Sequence, residues 1–236
     1  MTHPYVFCRL ETTDRIYEAT GFEIHQERQR PTLVQLTLEE PIAKDATAIL
    51  QMGYLGRAYR MTVLKVISCF EIAKETFDVV AIEPVRQILD AEYLGQLQGA
   101  DLVSALKSIT ALFGFPLKFG GMVPVTRPKN MIFLGTIRNA LDQLWEVFEL
   151  KQARWAMPLL KQEFQFLGDG KFSIPPQEIP MDYFRQETEG GIELNIVPMF
   201  RPYVPVLWRG TPEIIDIARI DSLTRSMFIT FADKTQ

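Results

Sequence analysis

The chain has 236 residues, of which 47% are hydrophobic and 23% charged. This is the composition of a folded protein with one large core or two modest ones, and it excludes wholesale disorder. The formal net charge of −4 argues against a protein that binds nucleic acid regardless of sequence, since such proteins need a basic surface.

The sequence predicts neither a membrane span nor a secretory leader. Apolar runs such as FDVVAI, residues 77–82, are far too short to cross a bilayer. The N-terminal segment MTHPYVFCRLETTDR lacks the basic start and apolar core of a signal peptide. We therefore expect synthesis and folding in a cytoplasm.

The first third of the chain has the alternation and the β-branched and aromatic residues that are typical of antiparallel strands. The predicted strands are residues 5–12, 22–28, 32–40, 59–70 and 76–84. A turn is predicted around residues 19–21, and residues 43–52 are expected to form a short helix or a loop. Sequential strands with short turns favour a barrel or a sandwich.

A helix followed by a strand is predicted twice between residues 101 and 174. Each helix begins at a side chain that can accept a hydrogen bond from the first turn, Asp101 in one case and Thr136 in the other. Matching apolar stripes follow at helical spacing: Leu102, Leu106, Ile109 and Phe113, then Ile137, Leu141, Leu144 and Phe148. The matched stripes predict that both helices pack in one layer against one sheet. The strand-like runs 115–119 and 152–159 follow the helices.

The remaining segments are predicted from turn residues and alternation. Residues 86–100 are expected to be a partly helical connection, 120–130 a loop and 163–174 a hairpin. The closing strands are predicted at residues 192–200, 204–210, 213–221 and 226–233. They would form a small antiparallel sheet that packs on the first one or completes it.

These elements predict an α+β protein in which two antiparallel β-barrel-like or sandwich-like domains flank a small inserted α/β domain. The predicted boundaries are 1–85 for the first β domain, 86–180 for the insert and 181–236 for the closing β domain.

The sequence lacks a strong catalytic or metal-binding motif. His3 and His25 have no metal spacing between them or toward Cys8 and Cys69, so we expect no zinc site, no cofactor and no enzymatic activity. Two free thiols are a better interpretation of the cysteines than a disulfide. Carboxylates at helical spacing, such as Asp142 with Glu146, usually form a solvated face rather than the acidic pair of a glycosidase.

Three passages resemble the tail hub proteins of phages and related injection machines, a family that includes the hubs of contractile and siphophage tails and the N-terminal part of type VI secretion spikes. They are TIRNALDQLWEVFELKQARWAM with GDGKFSI, GIELNIVPMFRPYVPVLW, and GRAYRMTVLKVIS. The chain departs from the commoner pattern by having Arg201-Pro202 where many members show Pro-Gly.

The resemblance implies a structural, non-enzymatic protein of the virion tail, assembled in the host cytoplasm. Three copies would form a ring between the sixfold tail tube above and a threefold spike or fibre below, and DNA would pass through the channel without specific binding. This hypothesis places Phe200, Tyr203 and Trp208 near the contact between copies, with core packing as the alternative explanation.

Two other functions are compatible with the sequence. One is a distal-tail ring protein, which also combines a β-barrel with an added domain. The other is a small carbohydrate-binding or hydrolytic module that uses Trp145, Trp155 or Trp208 as an aromatic platform.

Overall fold

The structure is a computed structural model. It describes residues 6–28, 30–54, 57–114, 116–120, 128, 130–150, 154–156, 164–167, 176–202 and 204–232. The chain forms two compact units, which we call the β unit, from within Met1–Pro84 and Ile174–Lys234, and the α/β unit, from within Val85–Ser173.

Strands dominate the described residues. In chain order they are β1 (Val6–Glu11), β2 (Ile16–Glu27), β3 (Leu33–Leu38), β4 (Thr47–Tyr54), β5 (Arg57–Ala73), β6 (Thr76–Ile82), β7 (Glu92–Gln98), β8 (Leu117–Gly120), β9 (Asn130–Thr136), β10 (Arg154–Ala156), β11 (Phe164–Leu167), β12 (Gln177–Glu178), β13 (Phe184–Thr188), β14 (Gly191–Asn195), β15 (Pro205–Trp208), β16 (Thr211–Asp221) and β17 (Ser226–Phe231). The helices are α1 (Val85–Leu89), α2 (Leu102–Thr110) and α3 (Ile137–Val147), with short 3₁₀ turns at Ala111–Phe113 and Met181–Tyr183.

The first six strands form a closed ring of hydrogen-bonded neighbours. Their order is β1-β4-β5-β6-β3-β2, and β2 pairs again with β1. Every pairing in this ring is antiparallel. Alternate side chains such as Leu10, Leu50 and Leu64 are completely buried, so one face of each strand builds the core.

Two predictions in this region are wrong. The turn expected at residues 19–21 is replaced by β2, which runs through them with an irregular register between Ala19 and Gly21 opposite β3. Residues 43–52 contain most of β4 rather than a helix or a loop. Ala48, Leu50 and Met52 are buried at every second position, and β4 pairs with β1 on one side and β5 on the other.

The last six strands extend this sheet rather than forming a separate one. β16 pairs antiparallel with β2 and continues to β17, β14 and β13, while β15 and β12 branch from its first half. The closing strands therefore complete the first sheet, which is one of the two arrangements predicted. The division into three domains at residues 85 and 180 stays a prediction.

The α/β unit confirms both predicted helices. Asp101 and Thr136 accept hydrogen bonds from the backbone amides of Ser104 and Asn139, and so cap α2 and α3. The following residues of the two stripes are buried: Leu102, Leu106, Ile109, Ile137, Leu141, Leu144 and Phe148.

The helices contact each other, but the described strands of this unit form two sheets instead of the one predicted. β7 pairs with β9, and β8 and β10 flank β11. α3 packs mainly on β7 and β9 and α2 on β8, but each helix also reaches the other sheet. The Trp145 ring of α3 lies 5.4 Å from that of Phe166 on β11, and the Ser108 hydroxyl of α2 lies 3.2 Å from that of Tyr93 on β7. β11 is the first strand of the predicted hairpin, and residues 168–175 lie outside the described part of the chain. No helix in the described ranges has the length and hydropathy that crossing a membrane requires.

Replacing Leu141 by Asp should unfold the α/β unit, because it buries an unpaired charge in the stripe that joins α3 to its neighbours. We expect a loss of at least about 3 kcal/mol, measured by denaturant unfolding and limited proteolysis. Val147→Asp is the matched control, since Val147 is exposed on the same helix. A Leu141→Asp protein that melts normally would rule out this packing.

Candidate functional site

The three aromatic residues predicted at an interface do not form an exposed group. Phe200 and Trp208 are only 3% and 9% exposed and belong to the core of the β unit. Tyr203 lies outside the described residues. Core packing therefore accounts for two of the three side chains within a single chain, and their role at an interface stays a prediction.

The environment of Trp208 shows how it is covered. Its ring centroid lies 5.3 Å from that of Phe184, and the Arg209 guanidinium lies 5.3 Å from the centre of the indole. Arg209 and Gly210 both have positive φ, which makes the tight turn between β15 and β16 and folds Arg209 back over the ring. Arg209 Nη2 also pairs with Glu187 Oε2 at 2.5 Å.

Exposed apolar side chains occur instead on two strand pairs. The first is the outer part of the β5–β6 hairpin, where Ile67, Phe70 and Ile72 are exposed. In the described part of the chain this half of β5 has β6 as its strand partner. A charged residue lies beside these side chains, because Asp78 is the cross-strand partner of Phe70.

The second is the two-stranded sheet of β7 and β9, in which Leu94, Ile132 and Leu134 are exposed on one face. We call these three residues the ribbon face. Sequence reasoning missed it, because residues 86–100 were expected to be partly helical. The signal was MIFL at residues 131–134, an apolar run typical of a strand with apolar side chains on both faces.

A row of polar side chains crosses the interior of the β unit at one end of the strands. Gln26 lies on β2, Thr32 directly precedes β3 and Glu83 directly follows β6, and the Glu83 amide donates to the Thr32 carbonyl oxygen at 3.0 Å. The Thr32 amide donates to Glu83 Oε2 at 2.7 Å, and the Thr62 hydroxyl donates to Glu83 Oε1. Glu83 thus ties β3 and β5 together just before the chain enters the α/β unit.

Burial raises the pKa of the Glu83 carboxyl, and the donors Thr62 and Thr32 and the charge of Arg201 oppose that rise in part. Glu83 therefore has a structural role, because its carboxyl group links neighbouring strands through hydrogen bonds. Ionising this mostly buried group lowers the stability of the fold, as its raised pKa indicates.

A second polar contact, which is partly buried, joins the N-terminal and C-terminal parts of the chain. The Tyr54 hydroxyl donates to the Ile196 carbonyl oxygen. Burial, together with the neighbouring Tyr183 and Tyr59, raises the pKa of Tyr54 to about 12. Tyr54 therefore stays protonated as a donor at any physiological pH.

The described residues contain no group of three or more His, Cys, Asp or Glu placed to hold a metal ion. Cys8 and Cys69 are free, as predicted, and burial raises the pKa of the Cys8 thiol. On α3, burial and the neighbouring Glu146 raise the pKa of Asp142 while Arg138 opposes them.

Solved structures with the same fold are proteins of phage tails and of type VI secretion. The tail protein of Neisseria meningitidis MC58 superposes with a TM-score of 0.70 at 8% identity, covering 98% of this chain and 97% of that one. The tail protein of prophage MuSo2 from Shewanella oneidensis gives 0.68 at 11% identity, covering 97% and 98%.

The third similar structure is the E. coli c3393 protein, a component of the type VI secretion system that is itself similar to the T4 tail proteins gp27 and gp5. It gives a TM-score of 0.63 at 10% identity and covers 97% of this chain and 78% of that one. No protein-family model and no curated protein matches the sequence. The fold is therefore that of the phage tail and secretion spike class, which confirms the resemblance to tail hub proteins at the level of fold.

Replacing Trp208 by Ala should destabilise the β unit in the isolated chain by about 3–5 kcal/mol, because it removes a large, mostly buried side chain. Urea unfolding measures the loss. Leu223→Ala is the control: Leu223 is 91% exposed, so its truncation should change stability by less than about 0.5 kcal/mol. A Trp208→Ala chain of normal stability that fails only in assembly would place the indole at an interface instead.

Glu83 should give the unfolding free energy a specific pH dependence. Its folded-state pKa is raised above the ordinary value of 4.5, so the folded state holds this proton more tightly than the unfolded chain. The stabilisation from the protonated Glu83 carboxyl is complete below the pKa that this group has in the unfolded chain. It is lost as the pH rises through the pKa that the group has in the folded protein. Each tenfold difference in proton affinity between the two states corresponds to about 1.4 kcal/mol. Glu83→Gln should lack this step, whereas Glu23→Gln, at an exposed carboxylate, should keep it.

Urea unfolding at intervals between about pH 4 and pH 8 tests this expectation. Parallel stability curves for the wild type and Glu83→Gln would contradict it.

Proposed function

We propose that this protein is a structural tail hub, three copies of which form a ring that joins a sixfold tail tube to a threefold central spike or fibre. The observation that carries the proposal is a fold shared with two phage tail proteins over nearly the whole of each chain. Such a role is mechanical and needs no catalytic residue.

The arrangement of strands supports this symmetry. Each chain contributes a ring of six strands, β1 to β6, and a second group of six, β12 to β17, joined through the β2–β16 pairing. Three chains with two comparable β groups each would present six similar positions to a tube, while the copies themselves keep threefold symmetry. A closed ring is the normal outcome of a head-to-tail contact whose rotation completes a circle.

The expected partners follow from this position. A tail tube protein would lie above the ring and a spike or fibre protein below it, and the likeness to a type VI secretion component supports the second of these. The net charge of −4 suits a channel through which DNA passes without binding. The proposed location is the virion tail.

The mass of the purified particle tests the proposal. Light scattering should give about three times the chain mass of 27.1 kDa, and averaged electron micrographs should show a threefold ring with a central channel. A ring of six copies would contradict the proposal and favour the distal-tail ring protein. Stoichiometric binding to a glycan array by a monomer would favour the carbohydrate-binding module.

A further inference from the structure

The ribbon face lies on one side of a two-stranded sheet whose other side packs against α3. Tyr93, Met131 and Phe133 point to the buried side of β7 and β9, where α3 packs. The alternating residues Leu94, Ile132 and Leu134 point the other way and are 76%, 61% and 66% exposed. The ribbon is therefore apolar on both sides, although the packing within the described α/β unit covers only one.

The three exposed side chains form one patch. Leu94 lies directly opposite Leu134 in the register, and Ile132 lies opposite Gln96. Their combined apolar surface is on the order of 400 Å², comparable with the largest apolar patch on a typical monomer. Such a patch contributes about half of the roughly 800 Å² that each partner gives to a stable interface.

The charge of the patch narrows the choice of partner. The register places Leu94, Gln96, Ile132 and Leu134 at the centre of this face, with Glu92, Gln98, Asn130 and Thr136 at its ends. An uncharged centre with a polar rim is the composition of a permanent protein interface. The absence of basic residues at these positions excludes a nucleic-acid surface, which needs cations. The hairpin surface of β5 and β6 differs, because the charged residue Asp78 lies directly opposite Phe70.

We propose that the ribbon face is the apolar centre of the contact between neighbouring copies of this chain. The inference rests on the proposed ring, whose head-to-tail contact needs on every copy a surface that stays covered in the assembled particle. The ribbon face would supply about half of the area of one side of that contact, as its apolar centre, and the polar residues around it would supply the rest.

The test is the double variant Leu94→Thr, Leu134→Thr, which makes the patch polar while keeping side chains that favour strands. Light scattering should give the mass of a single chain, where the wild type gives three. The double variant should keep the wild-type circular dichroism spectrum, because both side chains are exposed in the isolated chain, while its melting temperature should no longer depend on protein concentration. Leu112→Thr is the matched control in the same unit, since Leu112 is exposed on the 3₁₀ turn, and it should leave the trimer intact.

A second measurement does not rely on a substitution that disrupts the ring. A thiol introduced by the substitution Leu94→Cys should be protected from a maleimide in the trimer and should react fully when dilution separates the copies. Wild-type protein reports the background from Cys8 and Cys69.

The outcomes separate the two proposals. A trimeric wild type with a trimeric double variant, or with a fully reactive introduced thiol in the trimer, would overturn this inference and leave the proposed function intact. A wild-type chain that remains single at all concentrations would overturn the ring itself, and with it this contact.

Discussion

The β2–β16 pairing is the constraint on which the β unit depends. Five residue pairs, from Glu23–Asp221 to Glu27–Ile217, join the two ends of the sequence, and the Phe22 amide donates to Ser222 Oγ at 2.8 Å across 200 positions. β2 also closes the ring of the first six strands, so one strand belongs to both groups. Breaking this pairing would expose one edge of β16 and of the second half of β2, and such open edges are prone to pair with other chains.

The pairing also explains how an α/β unit can be inserted without disturbing the sheet. The chain leaves the β unit after Glu83 and returns to it within the stretch that leads to β12, so both ends of the insert belong to one folded unit. Closing a longer loop costs little more entropy than closing a short one. The Glu83 tie to Thr32 and Thr62 holds the strand from which the insert departs.

The apolar residues of this chain divide into two groups with different consequences. Aromatic side chains such as Phe200 and Trp208 stabilise the β unit from inside, although their type is common at interfaces. Exposed apolar side chains form groups of three at the ribbon face and on the β5–β6 hairpin, and all of them except Phe70 are aliphatic. In the proposed ring, neighbouring copies would cover surfaces of the second kind, and burying their apolar area would favour association.

The sequence by itself determined the features that depend on near neighbours. The caps Asp101 and Thr136, the buried stripes of α2 and α3 and most strands followed from spacing and residue type, because helix periodicity and capping act within a few positions. Tertiary structure decided the rest. β4 became a strand because β1 and β5 pair with it on both sides, and β2 passed through its expected turn because β3 pairs with Ala19 and Gly21 there. It also decided that Trp208 is covered while Leu94 is exposed, since burial depends on which distant segments fold over a side chain.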